Sequence, residues 1–186
     1  MSHLHGEVFR DVVLSNGLPV VLVPQPDVHR AVASLYLRVG SRYEPPERAG
    51  ASHLLEHMLY RGTPTLRTSG DVALAFESLG ADLDASTSIE SGSLAVSMPA
   101  ENLPPAVHLI ADVFRHPTLR ELEVEKGIVR EEILESLDER GRVIDPDWLM
   151  PELVFGSHPL GRPISGTPAE LDRLTEALLR THHELH

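Results

Sequence analysis

The segment HLLEH, residues 53–57, places two histidines and a glutamate within five residues. On an α-helix, His53 and His57 lie one turn apart on the same face, so both imidazoles can bind one metal ion. Glu56 lies close to that face, where its carboxylate can take a proton from a water that the ion activates. A catalytic zinc site uses three protein ligands and leaves one position for water. The pattern therefore predicts two zinc ligands and a base, and the third ligand must come from elsewhere.

The third ligand is expected on a carboxylate-rich helix predicted over residues 119–140. Glu125 and Glu132 are seven residues apart, which is two helical turns, so they share a face. Ile128 and Val129 lie between them on that side, which predicts that the face is turned inward. Because buried carboxylates need a partner or a metal, Glu132 is the favoured ligand. Glu125 is expected to support the site or to serve as the alternative ligand.

The rest of that helix gives three further expectations. Glu131 lies about 100° from the shared face and is expected in solvent. Gly127 costs about 1 kcal/mol relative to alanine inside a helix, which predicts a close packing contact at this position. The buried side of the helix is expected to consist of Leu122, Ile128, Ile133, Leu134 and Leu137.

The elements that must position these residues begin with strands. Asn16-Gly17 joins the first two β-rich runs as a hairpin, and a third run follows as AVASLYLRVG. Helical periodicity starts near Ala49, with Leu54, Leu55, Met58 and Leu59 as its apolar stripe. Two more strands, three further helices and a final helix from Thr167 to the end are predicted. The order indicates an α+β fold, with a mainly antiparallel sheet and helices packed on it.

The composition limits what the chain can bind. Its formal net charge of −12 repels phosphate groups, which argues against nucleic-acid and membrane partners. It contains no cysteine, so histidine and carboxylate side chains must bind any transition metal. Two histidines and a glutamate suit Zn²⁺, and Mn²⁺ or Co²⁺ could use the same donors. The sequence shows neither a signal peptide nor an apolar run of about 20 residues, which predicts a cytoplasmic protein.

Three strings resemble, in order, the pitrilysin/insulinase family (M16) of zinc metallopeptidases. HLLEH is the inverted motif H-x-x-E-H of the inverzincins, and it lies within GASHLLEHMLYRGT, residues 50–63. EKGIVREE is similar to the family's third-ligand helix, with Glu132 at the zinc-binding position and Glu125 at the acidic position before it. HPLGRPISGT, residues 158–167, resembles the loop that follows that helix.

The resemblance implies a zinc-dependent endopeptidase domain that hydrolyses extended peptides. Residues 1–186 would form one zinc-bearing domain, the α/β-roll half of a two-domain clamshell, without its last strand and without the companion half. The companion, as a domain or a subunit, would carry an Arg-Tyr pair that helps to hold the substrate. In this reading His53, His57 and Glu132 bind Zn²⁺, and Glu56 acts on the water.

The resemblance also implies a peptide site beside an edge strand near LDASTSIES, residues 83–91. Asp84 stands where the family often has asparagine, and Leu94 stands where tyrosine is common. Glu90 matches the family's glutamate. Asp84 and Glu90 are thus implied to contact the substrate, with the added negative charge altering which substrate residues are preferred.

An alternative function is also possible from the sequence. The chain could be a non-catalytic, zinc-containing subunit for peptide binding or assembly, although such relatives commonly lose the zinc residues.

A second histidine pair lies at the end of the chain. His182 and His186 are also four residues apart, but no acidic partner accompanies them. An ordinary helix C-terminus is expected there, where histidine suits the helix dipole.

Overall fold

Strands precede most of the helices in the chain. The structure, a computed structural model, describes residues 9–186. Its strands are β1 (Arg10–Val13), β2 (Pro19–Leu22), β3 (Arg30–Leu37), β4 (Asp82–Thr87) and β5 (Gly92–Pro99). Its α-helices are α1 (Ala51–Leu59), α2 (Ser69–Glu77), α3 (Leu103–Arg115), α4 (Leu122–Glu135), α5 (Pro146–Phe155), α6 (Pro168–Arg173) and α7 (Glu176–Leu185). All strand pairs are antiparallel, so the predicted α+β class is confirmed.

The strands form two separate sheets. β1 and β2 make a hairpin, and the turn between them uses Gly17 at a φ of 87°, a conformation that favours glycine. The other sheet has the order β3-β5-β4, so β5 is central while β3 and β4 are its edges. Thr87, the last residue of β4, pairs with Gly92. Residues 88–91 therefore form the turn between these strands rather than part of a strand.

Helices cover one face of the three-stranded sheet. Leu94, Val96 and Met98 alternate along β5 toward that face and are buried against α1, α2 and α3. On the opposite face of β3, Val32 and Tyr36 remain exposed. Each helix described within residues 9–186 is too short or too polar to cross a membrane.

Helix α1 lies between two hydrophobic clusters, and the residues of its predicted apolar stripe contribute to both. Leu59 packs into the cluster beneath the sheet. Leu54 and Met58 are fully buried in a second cluster with α4, α6 and α7. Because two sides of α1 are packed in this way, its rotation is fixed, and the remaining side presents the histidines toward α4.

The structure corrects two expectations about the helices. The predicted final helix is two helices, because Leu174 is extended and Thr175 caps a new helix by accepting a hydrogen bond from the Leu178 N–H. On α4, Ile133 and Val129 are buried, but Ile128 and Leu134 are exposed.

Two glycines differ sharply in what they tolerate. Gly50, which precedes α1, has a φ of 82°, and a Cβ there would lie 2.6 Å from the Ser165 carbonyl oxygen. At Gly127 in α4, no atom beyond the neighbouring backbone of the helix itself lies within 4 Å of the position of a Cβ. The expected close packing at Gly127 is therefore wrong, and the helix carries an uncompensated glycine.

This contrast predicts opposite effects of the same substitution. Gly50→Ala should lower the free energy of unfolding by about 2 kcal/mol, because alanine is strained at positive φ and meets the Ser165 carbonyl. Gly127→Ala should raise it by about 0.5–1 kcal/mol through helix propensity. Urea unfolding of the metal-free protein measures both, and equal shifts in the two variants would contradict the assignment.

Candidate metal centre

Helices α1 and α4 bring three potential ligands together. The rings of His53 and His57 have their centroids 4.8 Å apart on α1. Oε2 of Glu132, on α4, lies 3.7 Å from Nε2 of His53 and 3.6 Å from Nε2 of His57. The Glu132 side chain is 42% exposed. It therefore lies on the solvent side of this cluster, and not on the buried face that the sequence predicted. These three residues form a group with ligand atoms within 4.8 Å of one another.

The donor set fits a zinc ion. Ligand atoms about 2.1 Å from a tetrahedral ion lie about 3.4 Å apart, which is close to the observed 3.6 and 3.7 Å. Burial, together with the neighbouring His57, lowers the pKa of His53 to about 4. The His53 imidazole is therefore neutral near pH 7, which is the form that binds metals.

The two imidazoles are held in different ways. Nδ1 of His57 is 3.1 Å from Oε2 of Glu125, whose side chain is only 5% exposed. Nδ1 of His53 is buried and has no hydrogen-bond partner within residues 9–186. A carboxylate on the second ring nitrogen orients a histidine ligand and fixes its tautomer. Glu125 can orient His57 in this way, whereas packing alone orients His53.

Arg61 lies behind Glu125 and was not singled out from the sequence. Its guanidinium forms an ion pair with the Glu125 carboxylate and donates a 3.0 Å hydrogen bond to Glu121. A buried carboxylate is costly without such a partner. Arg61 follows His57 by four residues and lies in the turn just after α1. This four-residue spacing was the available signal in the sequence.

Glu56 lies between the cluster and strand β4. Its Oε2 accepts a 2.5 Å hydrogen bond from the Thr87 hydroxyl. Burial raises the pKa of Glu56, and the charges of Glu132 and Asp84 raise it further, while Thr87 and His57 oppose the shift. A carboxylate so placed can accept a proton from a water molecule at the histidine–glutamate cluster and can pass it on.

The two residues implied to contact substrate lie in different surroundings. Asp84 is exposed on the edge strand β4 and is near enough to Glu56 to affect its pKa. Glu90 lies in the turn after β4, where it forms an ion pair with Arg42. The structure thus places Asp84 on the same edge strand as Thr87, whereas Glu90 is tied to the loop before α1.

The surroundings of His182 differ from those that the sequence predicted. It is 1% exposed rather than part of a solvated helix end, and its Nε2 lies 3.0 Å from the Ser52 hydroxyl. Burial lowers its pKa to about 4, and the neighbouring His186, Arg48 and His183 add to this shift. Spacing within α7 alone could not reveal this contact, because it joins residues 130 positions apart.

H-x-x-E-H is the inverted motif of the inverzincin metallopeptidases, and here its helix faces a carboxylate on a second helix within an antiparallel α+β domain. Residues 19–167 match the profile of the family described as Insulinase (Peptidase family M16). The chain belongs to this family, so the family predicted from the sequence is confirmed.

Known proteins are similar to this chain in sequence and in fold. An uncharacterized zinc protease of Mycobacterium tuberculosis is 36% identical over 180 residues, which cover 94% of this chain and 40% of the relative. A protease from Helicobacter pylori superimposes with a TM-score of 0.81 at 26% identity, over 95% of this chain and 43% of that one. This chain thus spans about 40% of the length of the curated relatives that it matches.

The fold alone does not distinguish active from inactive domains. A domain from Pseudomonas fluorescens described as a peptidase M16 inactive domain has a TM-score of 0.80, at 20% identity over 94% of this chain and 42% of that one. Because the backbone is shared to this extent, the question of activity depends on side chains at the candidate centre.

Proposed function

We propose that this chain is the zinc-bearing domain of a metalloendopeptidase that hydrolyses extended peptides. The observation that carries the proposal is the convergence of His53, His57 and Glu132 beside a half-buried Glu56. The relatives named zinc proteases support the choice of Zn²⁺ among the metals that accept this donor set. In this proposal His53 and His57 bind through Nε2, and Glu132 binds through a carboxylate oxygen.

The chain's own residues prepare this centre for hydrolysis. Glu125 holds the His57 ring by its Nδ1, and Arg61 compensates the charge of Glu125. The chemistry that zinc supplies at such a site is acidification of a water and polarisation of a carbonyl group. Glu56 takes the proton from the attacking water and delivers it to the departing amine nitrogen. The Thr87 hydroxyl keeps the Glu56 carboxylate in place while it does so.

Strand β4 offers a place for the substrate backbone. It is an edge of the sheet, so its outer N–H and C=O groups can pair with an extended peptide. Thr87 at the end of this strand contacts Glu56, so a peptide paired with β4 runs past the metal centre. Asp84 lies on the same strand and favours a cationic or polar substrate side chain next to it. Main-chain pairing of this kind makes few demands on substrate sequence.

A companion region completes the proposed enzyme. The curated relatives are more than twice as long as the matched segment, which leaves room for a second domain of similar size. We propose that this half, in the same protein or in a partner subunit, carries the Arg-Tyr pair that the family resemblance implies. The described chain would then bind zinc on its own but cleave peptides efficiently only with its companion.

A peptide-cleavage assay with and without metal tests the proposal. The complete protein, or this chain with its partner subunit, is incubated with a quenched fluorescent peptide of irregular structure. Cleavage should stop on treatment with a chelator and return when Zn²⁺ is added. Cleavage that is indifferent to chelation would overturn the zinc mechanism. Peptide binding without cleavage in the zinc-loaded complex would favour a non-catalytic binding subunit instead.

A further inference from the structure

The start of helix α1 lacks a cap of its own. The residue before the helix is Gly50, which has no side chain to accept hydrogen bonds from the first turn. The first backbone N–H groups of a helix need acceptors, most of all when they are buried. Ser52, in this first turn, is buried, so water does not supply them.

Glu44 provides the missing acceptors from outside the helix. Its Oε2 accepts a 2.7 Å hydrogen bond from the Gly50 N–H, and its Oε1 accepts one of 2.7 Å from the Ser52 N–H. The side chain is buried, with the residue 3% exposed. Both carboxylate oxygens are thus used on one helical turn, and a negative charge lies at the positive end of the helix dipole.

Glu44 is itself held by a distant loop. The Arg162 guanidinium donates to the Glu44 carbonyl oxygen, and the Ser41 hydroxyl donates to the Arg162 carbonyl oxygen. The same loop reaches Gly50, since the Ser165 carbonyl occupies the space that a Cβ at Gly50 would need. Burial raises the pKa of Glu44, while the N–H groups of Ser52 and Gly50 and the Arg162 charge oppose this shift.

The first turn is also fixed through Ser52. Its hydroxyl accepts a 3.1 Å hydrogen bond from the Gly40 N–H and lies 3.0 Å from Nε2 of His182. Ser52 directly precedes His53, so any shift of this turn moves the first imidazole. His57, one turn further, moves with the same helix axis.

We infer that Glu44 is a positioning residue for the metal centre, holding the first turn of α1 so that His53 and His57 face Glu132. The inference rests on the proposed zinc site. Glu44 touches none of the three ligands and acts only through the backbone of α1. Its loss should therefore alter how well the site is preformed, and not which atoms bind the metal.

Glu44→Gln tests this inference, because the amide keeps the shape but loses one acceptor and the charge. The variant should bind Zn²⁺ about 10-fold more weakly, which is the usual size of the effect when a supporting group is removed. The dissociation constant is measured by competition with a chromophoric chelator. The visible absorption of the Co²⁺-substituted protein, which reports ligand geometry, should change in intensity and position.

Asp71→Asn is the matched control. Asp71 caps the start of α2 by accepting a hydrogen bond from the Thr68 N–H, so the same carboxylate-to-amide change weakens a helix remote from the ligands. This variant should keep the wild-type Zn²⁺ affinity and Co²⁺ spectrum. Both variants are compared well below their unfolding temperatures, which are followed by circular dichroism.

The outcomes separate this inference from the proposed function. Wild-type protein that fails to bind Zn²⁺ would overturn the zinc site itself. Wild-type binding in Glu44→Gln, with an unchanged Co²⁺ spectrum, would overturn only the role of Glu44. If Glu44→Gln does not fold, Glu44→Asp keeps the charge but shortens the reach, and it should show a smaller loss of affinity. An Asp variant that binds like the wild type, or that also fails to fold, would reduce Glu44 to a general folding residue.

Discussion

Glu56→Gln is expected to lower peptide hydrolysis by roughly 10³-fold while zinc binding is retained, because general-base catalysis contributes effects of this order. The glutamine keeps the size of the side chain and can still accept the Thr87 hydrogen bond, but its amide cannot take a proton from water. The complete protein is assayed with a peptide substrate, and its zinc content is measured in parallel. Zinc content should match the wild type, since Glu56 is not among the converging ligands.

Glu101→Gln serves as the control for this experiment. Glu101 is exposed just after β5, at the opposite end of that strand from the residue that pairs with Thr87. It should leave turnover unchanged. Undiminished turnover in Glu56→Gln would remove Glu56 from the reaction, and a loss of zinc from that variant would make it a ligand instead of a base.

Glu132→Ala is expected to weaken Zn²⁺ binding by orders of magnitude, because it removes one of three protein ligands. The weaker binding can be measured as a loss of the stabilisation that Zn²⁺ gives to the folded protein. A ligand present at 1,000 times its dissociation constant raises the free energy of unfolding by about 4 kcal/mol, and the wild type should approach this value. Thermal unfolding of Glu132→Ala with and without added Zn²⁺ should instead give nearly the same midpoint.

Two other variants on α4 serve as comparisons for Glu132→Ala. Glu131→Ala changes the adjacent exposed carboxylate and should keep the full stabilisation by Zn²⁺. Glu125→Gln removes the carboxylate that contacts Nδ1 of His57 and should weaken binding by about 10–100-fold. If Glu125→Gln abolished binding while Glu132→Ala retained it, the ligand assignment on α4 would be reversed.

The sequence predicted the local parts of this centre well. The spacing of His53 and His57, and the apolar stripe of α1, are properties of one helix and follow from its period. The seven-residue spacing of Glu125 and Glu132 also places both on one side of α4, with Val129 buried between them. The prediction that this face is turned inward was wrong in two respects, because the Glu132 side chain is 42% exposed and Ile128 is also exposed.

The remaining parts depend on contacts between distant segments. Glu44 and Arg162 are 118 positions apart, and Ser52 and His182 are 130 apart. No periodic pattern links such residues, so their contacts with the first turn of α1 emerge only when the loops and α7 are in place. The break between α6 and α7 has a similar origin, since the Leu174 carbonyl accepts a hydrogen bond from Lys126 on α4. Helix propensity alone favours one continuous helix there.

The three-stranded sheet has consequences for how the isolated chain behaves in solution. Its two edges, β3 and β4, both present unpaired backbone groups within residues 9–186, and open edges can pair with a strand from another molecule. The net charge of −12 opposes such association at low salt, and salt screens that repulsion. The edges are not equivalent, because β4 carries Thr87 beside Glu56 whereas β3 lies two strands away. Self-association through β4 would block access to the metal centre, whereas association through β3 would leave the centre open.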